Sequence, residues 1–183
     1  VNMMIVNILP GGSLSADVNY TNITCYGEND GTITITNPTG GSGNYEYSID
    51  GGVSWQNSGS YSGLSAGTYA VVLRDTNEPG NMVTPGNITI SEPALLSATV
   101  TSSPAGCAGE PEGEIVFAGA TGGSAGYEFS IDGGLTWQTG GEFQHLVAGT
   151  YQTWIRDASH PGCSLFIGDV NVTEPPAIVA EAE

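Results

Sequence analysis

Short stretches in which apolar and polar residues alternate, separated by glycine-rich turns, run the length of this chain. Tyr45, Tyr47 and Ile49 share one side of such a stretch, as do Tyr69, Val71 and Leu73, leaving Glu46 and Arg74 on the other. This period of two predicts strands near residues 14–20, 31–36, 44–50, 53–57, 68–75 and 86–91, with a short one near 60–64. The same pattern predicts a second set 82 positions later. About seven short strands with turns every 8–12 residues is the signature of a β-sandwich. The expected fold is all-β: two tandem immunoglobulin-like or fibronectin-III-like β-sandwich repeats.

The doubling is visible residue by residue. Cys25 returns as Cys107, Gly31 as Gly113, and the run Tyr45 to Gly52 as Tyr127 to Gly134. Trp55 returns as Trp137, Ala66-Gly67-Thr68-Tyr69 as Ala148-Gly149-Thr150-Tyr151, and Glu92-Pro93 as Glu174-Pro175. Roughly 35 of 80 aligned positions are identical, and a period this long marks a tandem domain array rather than a solenoid. The divisions are residues 13–94 and 95–176 for the two repeats. Residues 1–12 read as the end of a preceding repeat or a leader strand, and 177–183 as the start of a following repeat or a tail. An ordinary two-domain protein with irregular ends is the other reading of the same pattern.

Composition removes several function classes. With 28 Gly and 10 Pro beside abundant Thr, Ser and Val, the chain favours strands and tight turns over helices. Nineteen acidic residues face two basic ones, a formal charge of −17. A polyanion of this kind has no means of holding nucleic acid, whose affinity comes from Lys and Arg on phosphates. Anionic membrane surfaces repel it for the same reason. No apolar run approaches the roughly 20 residues of a membrane span, so no membrane insertion is expected.

Two motifs carry structure. Leu64 to Tyr69, copied as Leu146 to Tyr151, places a tyrosine at the head of a strand after a small turn. That is the pattern of a tyrosine corner, in which the hydroxyl bonds the upstream backbone. Ser48-Ile49-Asp50-Gly51-Gly52-Val53-Ser54-Trp55, copied as Ser130 to Trp137, fits S-x-D-x-G-x-[ST]-W, the Asp box of sialidases and other β-propellers. Asp50 and Asp132 are expected to accept turn amides while Trp55 and Trp137 fold back beneath. A sialidase needs an arginine cluster to clamp its substrate, and this chain has one arginine per repeat, Arg74 and Arg156. The expected place of each is a cross-strand pair, Arg74 with Glu46 and Arg156 with Glu128, worth at most about 1 kcal/mol.

Other chemistry is sparse, and the chain is not expected to be an enzyme. His145 and His160 lack copies in the first repeat and lack metal-ligand spacing. No carboxylates are paired around a cleft as glycoside hydrolysis requires. Trp154 stands where the first repeat has Val72, on the same face as Arg156. Unit-specific packing and contact with a sugar or a neighbouring protein are both open to it, and the second would make the chain a carbohydrate-binding module appended to a secreted enzyme.

Taken in order, C-x-G-x-x-[DE]-G, [TG]-G-G-S, Y-x-[YF]-S-I-D-G-G, L-x-A-G-T-Y, R-D and a closing E-P resemble the SprB-type repeat of the giant cell-surface adhesins of gliding Bacteroidota. The resemblance covers nearly the whole chain. It implies secretion to the extracellular, outer-membrane-associated cell surface, many tandem copies, and roles in adhesion and gliding motility. The implied partners are neighbouring repeats and a surface polysaccharide or protein target. No catalytic residue comes with it.

The family pattern has a second cysteine that the first repeat replaces with Asn81 and the second keeps as Cys163. An intramolecular disulfide between Cys107 and Cys163 is therefore expected, closing a loop worth roughly 4 kcal/mol in the chain-entropy model. Cys25 is then left as a free thiol, a small buried side chain or a link to another chain. Between the repeats, Glu92-Pro93 leaves almost no linker, and the fixed φ of Pro93 favours an extended, stiff junction. No cofactor is expected. Asp30, Asp75, Glu92, Glu112, Asp157 and Glu174 are the candidates for Ca²⁺, but without tight ligand spacing solvated acidic residues are the favoured reading.

Overall fold

The computed structural model describes residues 12–179, so all but residue 12 of the leader expected over 1–12, and residues 180–183 of the tail expected over 177–183, lie outside the described residues. The chain divides between Glu92 and Pro93 into two compact units. In the first, β1 (Ser15–Thr21), β2 (Gly31–Thr39) and β4 (Ser60–Leu64) form one sheet in the order β1-β2-β4. β3 (Tyr45–Ser48), β5 (Gly67–Asp75) and β6 (Met82–Ile90) form the other, ordered β3-β5-β6. The second unit repeats the arrangement with β7 (Ser97–Ser103), β8 (Gly113–Thr121) and β10 (Glu142–Leu146) against β9 (Tyr127–Ser130), β11 (Gly149–Asp157) and β12 (Ser164–Val172). All pairings between these strands are antiparallel ladders. Each unit is thus an immunoglobulin-like β-sandwich, and the chain is a tandem pair of them.

Alternation along the strands builds the cores. Ile33 and Ile35 from β2 meet Tyr47, Val71, Leu73 and Ile90 from the opposite sheet, with Leu14 and Ile23 closing the ends. The second unit buries Ile115, Phe117, Phe129, Ile155 and Val172 around Leu96. Its centre is more aromatic: Phe117 lies 4.8 Å from Phe129 and 5.7 Å from Phe143, ring centre to ring centre. At about 25 cal/mol per Å² of apolar surface, burial of such side chains is the main force holding each unit together.

Two strand expectations are corrected. Residues 53–57 are a turn, joined to the backbone of β3 by the isolated bridge Tyr47–Gln56 rather than by a ladder, because Asp50 takes the amides a ladder would use. The last strand begins at Met82 rather than 86: Pro85-Gly86 reads as a turn, yet it forms a bulge within β6, with Gly86 at φ 138°.

Each crossover into the central strand is pinned by its tyrosine. Tyr69 Oη donates to the Ser65 carbonyl at 2.9 Å, and Tyr151 Oη to the Val147 carbonyl at 2.9 Å. Replacing Tyr151 by Phe removes this one bond while keeping the ring. Tyr151→Phe is expected to cost about 1 kcal/mol, lowering the melting midpoint by a few degrees in calorimetry. An unchanged midpoint would mean the hydroxyl is better served by water.

Candidate functional site

One set of charged and aromatic residues shared by both units gathers on the outer face of the β3-β5-β6 sheet and its copy. Glu46 lies opposite Arg74, and Glu128 opposite Arg156. Arg74 Nε donates to Glu46 Oε2 at 2.7 Å and its terminal nitrogen sits 2.6 Å from the same oxygen; Arg156 and Glu128 repeat both distances. Each guanidinium also covers an indole, Arg74 at 4.0 Å from the centre of Trp55 and Arg156 at 4.3 Å from that of Trp137. A carboxylate on one side and a π-face on the other leave neither arginine as a clamp for a ligand.

The indoles are held there by the Asp box. Buried Ser48 donates to Asp50 at 2.7 Å and accepts from the Gly52 amide at 2.9 Å. Asp50 in turn accepts the Val53 and Ser54 amides, each at 3.0 Å, and Trp55 Nε1 donates to the Gly52 carbonyl at 2.9 Å. Ser130, Asp132, Thr136 and Trp137 repeat the pattern. The Ser54 hydroxyl and amide, then the Ser48 hydroxyl, hold the Asp50 carboxyl far below the usual range. Burial pushes Asp132 up, but bonds from Thr136, Ser130 and Leu135 outweigh it and hold it down at about 2. These aspartates remain ionised acceptors. They have no proton to give a substrate at neutral pH.

The acidic residues singled out for calcium are placed apart. Call the end where the chain enters a unit its leading pole, and the end where it leaves its trailing pole. Asp75 is fully buried at the leading pole, accepting the Ser42 hydroxyl at 2.6 Å, the Asn77 amide at 2.8 Å and the Ser42 amide. Its copy Asp157 takes the Ser124 amide and hydroxyl and the Ser159 amide at 2.6–2.8 Å. The Ser42 hydroxyl bond, then its amide, lowers the Asp75 pKa; for Asp157 burial works upward and the Ser124 bonds overcome it. At the trailing pole Glu92 accepts the Gly27 amide, Glu174 the Gly109 amide, and Asp30 the Thr24 amide. Glu112 lies in the turn beside Gly106. Among the described residues no group of three or more His, Cys, Asp or Glu is arranged to hold a metal ion.

The cysteine expectation is corrected. Cys107 is the free and exposed thiol, while Cys25 and Cys163 are disulfide-bonded. Geometry within the second unit explains why Cys107 does not take Cys163. The loop bearing Cys107 sits at the trailing pole, where the Ala105 amide donates to Thr173 and the Gly109 amide to Glu174. Cys163 sits at the leading pole, its carbonyl accepting the Asp157 amide just ahead of β12. The nine residues of β12 span about 30 Å between them, against the 4–7 Å between Cα atoms that a disulfide needs. The sequence shows the cysteines but not that they occupy opposite ends.

Trp154 is half-buried rather than displayed. Its ring packs at 5.3 Å against Phe166, which is exposed, and its indole nitrogen is enclosed without a hydrogen-bond partner. Phe166 went unmarked in the sequence because its counterpart is Thr84. His145 sits in β10 at φ 60°, and His160 near Asp157 at 3.9 Å.

Comparison with known proteins gives one family. Residues 18–54 and 99–136, one segment in each unit, match the SprB repeat. No curated protein matches the chain significantly. Among solved structures it is similar to the three N-terminal domains of the bacteriophage RB49 highly immunogenic outer capsid protein (Hoc), at 16% identity and a TM-score of 0.43. That alignment covers 88% of this chain and 59% of the capsid-protein chain.

Two outcomes follow. Because Asp132 has its folded pKa below its unfolded one, its stabilising effect is full above about pH 4 and disappears as the pH falls through about 2. Asp132→Asn should lower the melting midpoint at pH 7 and flatten its dependence between pH 4 and 2; an equally steep profile would remove Asp132 as its source. In alkylation of the native protein without reductant, Cys107 alone should label. Labelling at Cys25 or Cys163 would contradict the assignment.

Proposed function

We propose that this chain is a structural and adhesive segment of a long, secreted cell-surface adhesin, serving surface attachment and gliding motility. The observation that carries the reading is the fate of the residues common to both units. Asp50, Trp55, Tyr69, Arg74, Asp75 and their copies are all engaged in bonds within their own unit. Repetition of a self-contained, internally bonded sandwich supports a spacer and display role rather than catalysis. A charge of −17 supports solubility and weak self-association in a dense surface layer. Among the described residues no helix is long and apolar enough to cross a membrane. The match of both units to the SprB repeat supports a surface-adhesin repeat, and gliding is the role that this resemblance implies.

The test is antibody raised against this chain and applied to intact source cells. Labelling of unpermeabilised cells, with attachment and gliding reduced by monovalent fragments, is the expected outcome. Labelling that requires permeabilisation, or binding with no effect on attachment, would overturn the reading. A glycan array separates the alternative of a carbohydrate-binding module: saturable binding lost in Trp154→Ala would favour it. We also propose that the fold needs no cofactor, since Asp30, Asp75, Glu92, Asp157 and Glu174 already accept backbone amides. Millimolar Ca²⁺ should leave the melting midpoint unchanged, and a rise of several degrees would refute this.

A further inference from the structure

Beside β3 and β9 the two units share a backbone frame and differ in what lines it. In the first, Tyr47 and Gln56 exchange amide bonds, and the Thr76 amide donates to the Asn44 carbonyl at 3.0 Å. In the second, Phe129 and Gln138 do the same, and the Ala158 amide donates to the Gly126 carbonyl at 2.8 Å. Along this frame the first unit has an open cleft of about 480 Å³, lined by Gly43, Asn44, Tyr45, Tyr47, Asn57 and Thr76. That volume falls in the range of small-molecule sites. The second unit has Gly126 for Asn44, Phe129 for Tyr47, Thr139 for Asn57 and Ala158 for Thr76. Only Thr139 is polar, so the fold does not call for the other polar groups.

Tyr47 points furthest toward a ligand. Its side chain is 8% exposed and its ring belongs to the core, as that of Phe129 does at 7%. Among the described residues, the side-chain atoms both enclosed and unpartnered are Glu78 Oε2 and Trp154 Nε1. The Tyr47 hydroxyl, which no described residue bonds, therefore reaches open space, and the open space Tyr47 borders is the cleft. Burial, then the neighbouring Tyr45 phenol, pushes the Tyr47 pKa up, so the group stays a neutral hydroxyl that both donates and accepts. A hydroxyl set at the edge of an apolar core costs desolvation unless something outside the core bonds it.

The remaining side chains set the chemistry. The Asn44 and Asn57 amides and the Thr76 hydroxyl have no partner among the described residues, and each carries both donor and acceptor. Tyr45 commits its own hydroxyl to the Gly40 carbonyl at 2.6 Å and adds apolar ring surface. No charged side chain lines the cleft, in a chain whose formal charge is −17. Donors beside acceptors, an aromatic wall and no charge match the hydroxyls and C–H faces of a sugar ring. They offer nothing to replace the hydration of a carboxylate, phosphate or ammonium group.

We propose that the cleft beside β3 is a binding site for a neutral saccharide, with the Tyr47 hydroxyl at its floor and the Asn44, Asn57 and Thr76 side chains around it. The site belongs to the first unit, whereas Trp154 lies in the second. It goes beyond the adhesin reading and does not depend on it.

The test applies the full chain to an array of β-glucan, α-mannan, β-galactan and xylan oligomers, beside polygalacturonate and an uncharged Ser/Thr-rich peptide, with calorimetry on whatever binds. Saturable binding to at least one neutral glycan is expected. Tyr47→Phe, which removes one hydroxyl and installs the second unit's residue, should weaken it about tenfold. Asn57→Thr, again the second unit's residue, should weaken it too. Both variants should melt within a few degrees of the parent chain, and Asn57→Thr decides alone if Tyr47→Phe fails to fold. No saturable binding to any neutral glycan at millimolar concentration would overturn the proposal, as would unchanged affinity in the folded variants. Binding of polygalacturonate or the peptide alone would overturn the ligand class. Binding lost in Trp154→Ala but untouched by Tyr47→Phe would move the site to the second unit and overturn this one. None of these outcomes alters antibody labelling of intact cells, so the adhesin reading and this site fail separately.

Discussion

A carboxylate buried in a chain with almost no cations is the constraint around which each unit is organised. Asp75 and Asp157 end the central strands, shut off from water. Both arginines are engaged by Glu46 and Glu128, so the solvation lost by the buried aspartates is replaced by amides and hydroxyls. Those donors come from the loops after β2 and β5, and from their copies after β8 and β11. One side chain therefore joins the turn of one sheet to the turn of the other. Gly41 and Gly123 are required beside it: each has positive φ, at 62° and 56°, and a Cβ there would run into the carboxylate.

The same economy of cations shapes the outer face. Asp50 and Asp132 organise a turn through amides and hydroxyls, and the turn presents an indole to the single arginine of its unit. The arginine closes over it and reaches the glutamate across the strand. What looks on paper like a ligand-binding collection of Trp, Arg, Glu and Asp is an internal clasp. Where the units diverge, they do so in packing: a phenylalanine cluster inside the second, and Trp154 with Phe166 outside it.

Much of this was legible in the chain. The alternation of Tyr45, Tyr47 and Ile49, and the pairing of Glu46 with Arg74, follow from the period of two once the strands are placed. The tyrosine bonds and the Asp-box turn follow from local spacing, because each closes within four residues. What was not legible depends on distance across the fold. Asp75 looked like a surface acid, since nothing local shows that Ser42, 33 positions away, folds over it. The cysteine partners were misread for the same reason: Cys107 and Cys163 flank core strands in sequence, but β12 carries them to opposite poles. Residues 53–57 carry a strand-like composition whose amides Asp50 takes first.

The scarcity of basic residues has a consequence outside folding. The chain contains no lysine, so a protease that cuts after basic residues has only the bonds Arg74–Asp75 and Arg156–Asp157 to attack. Both lie in the middle strand of a sheet, flanked by partners on either side, and both are followed by a buried aspartate. To hydrolyse either bond, a trypsin-like enzyme must first draw out the central strand, which means unfolding the unit. In the folded state this is a polypeptide with no accessible cleavage point for that whole class of secreted enzyme.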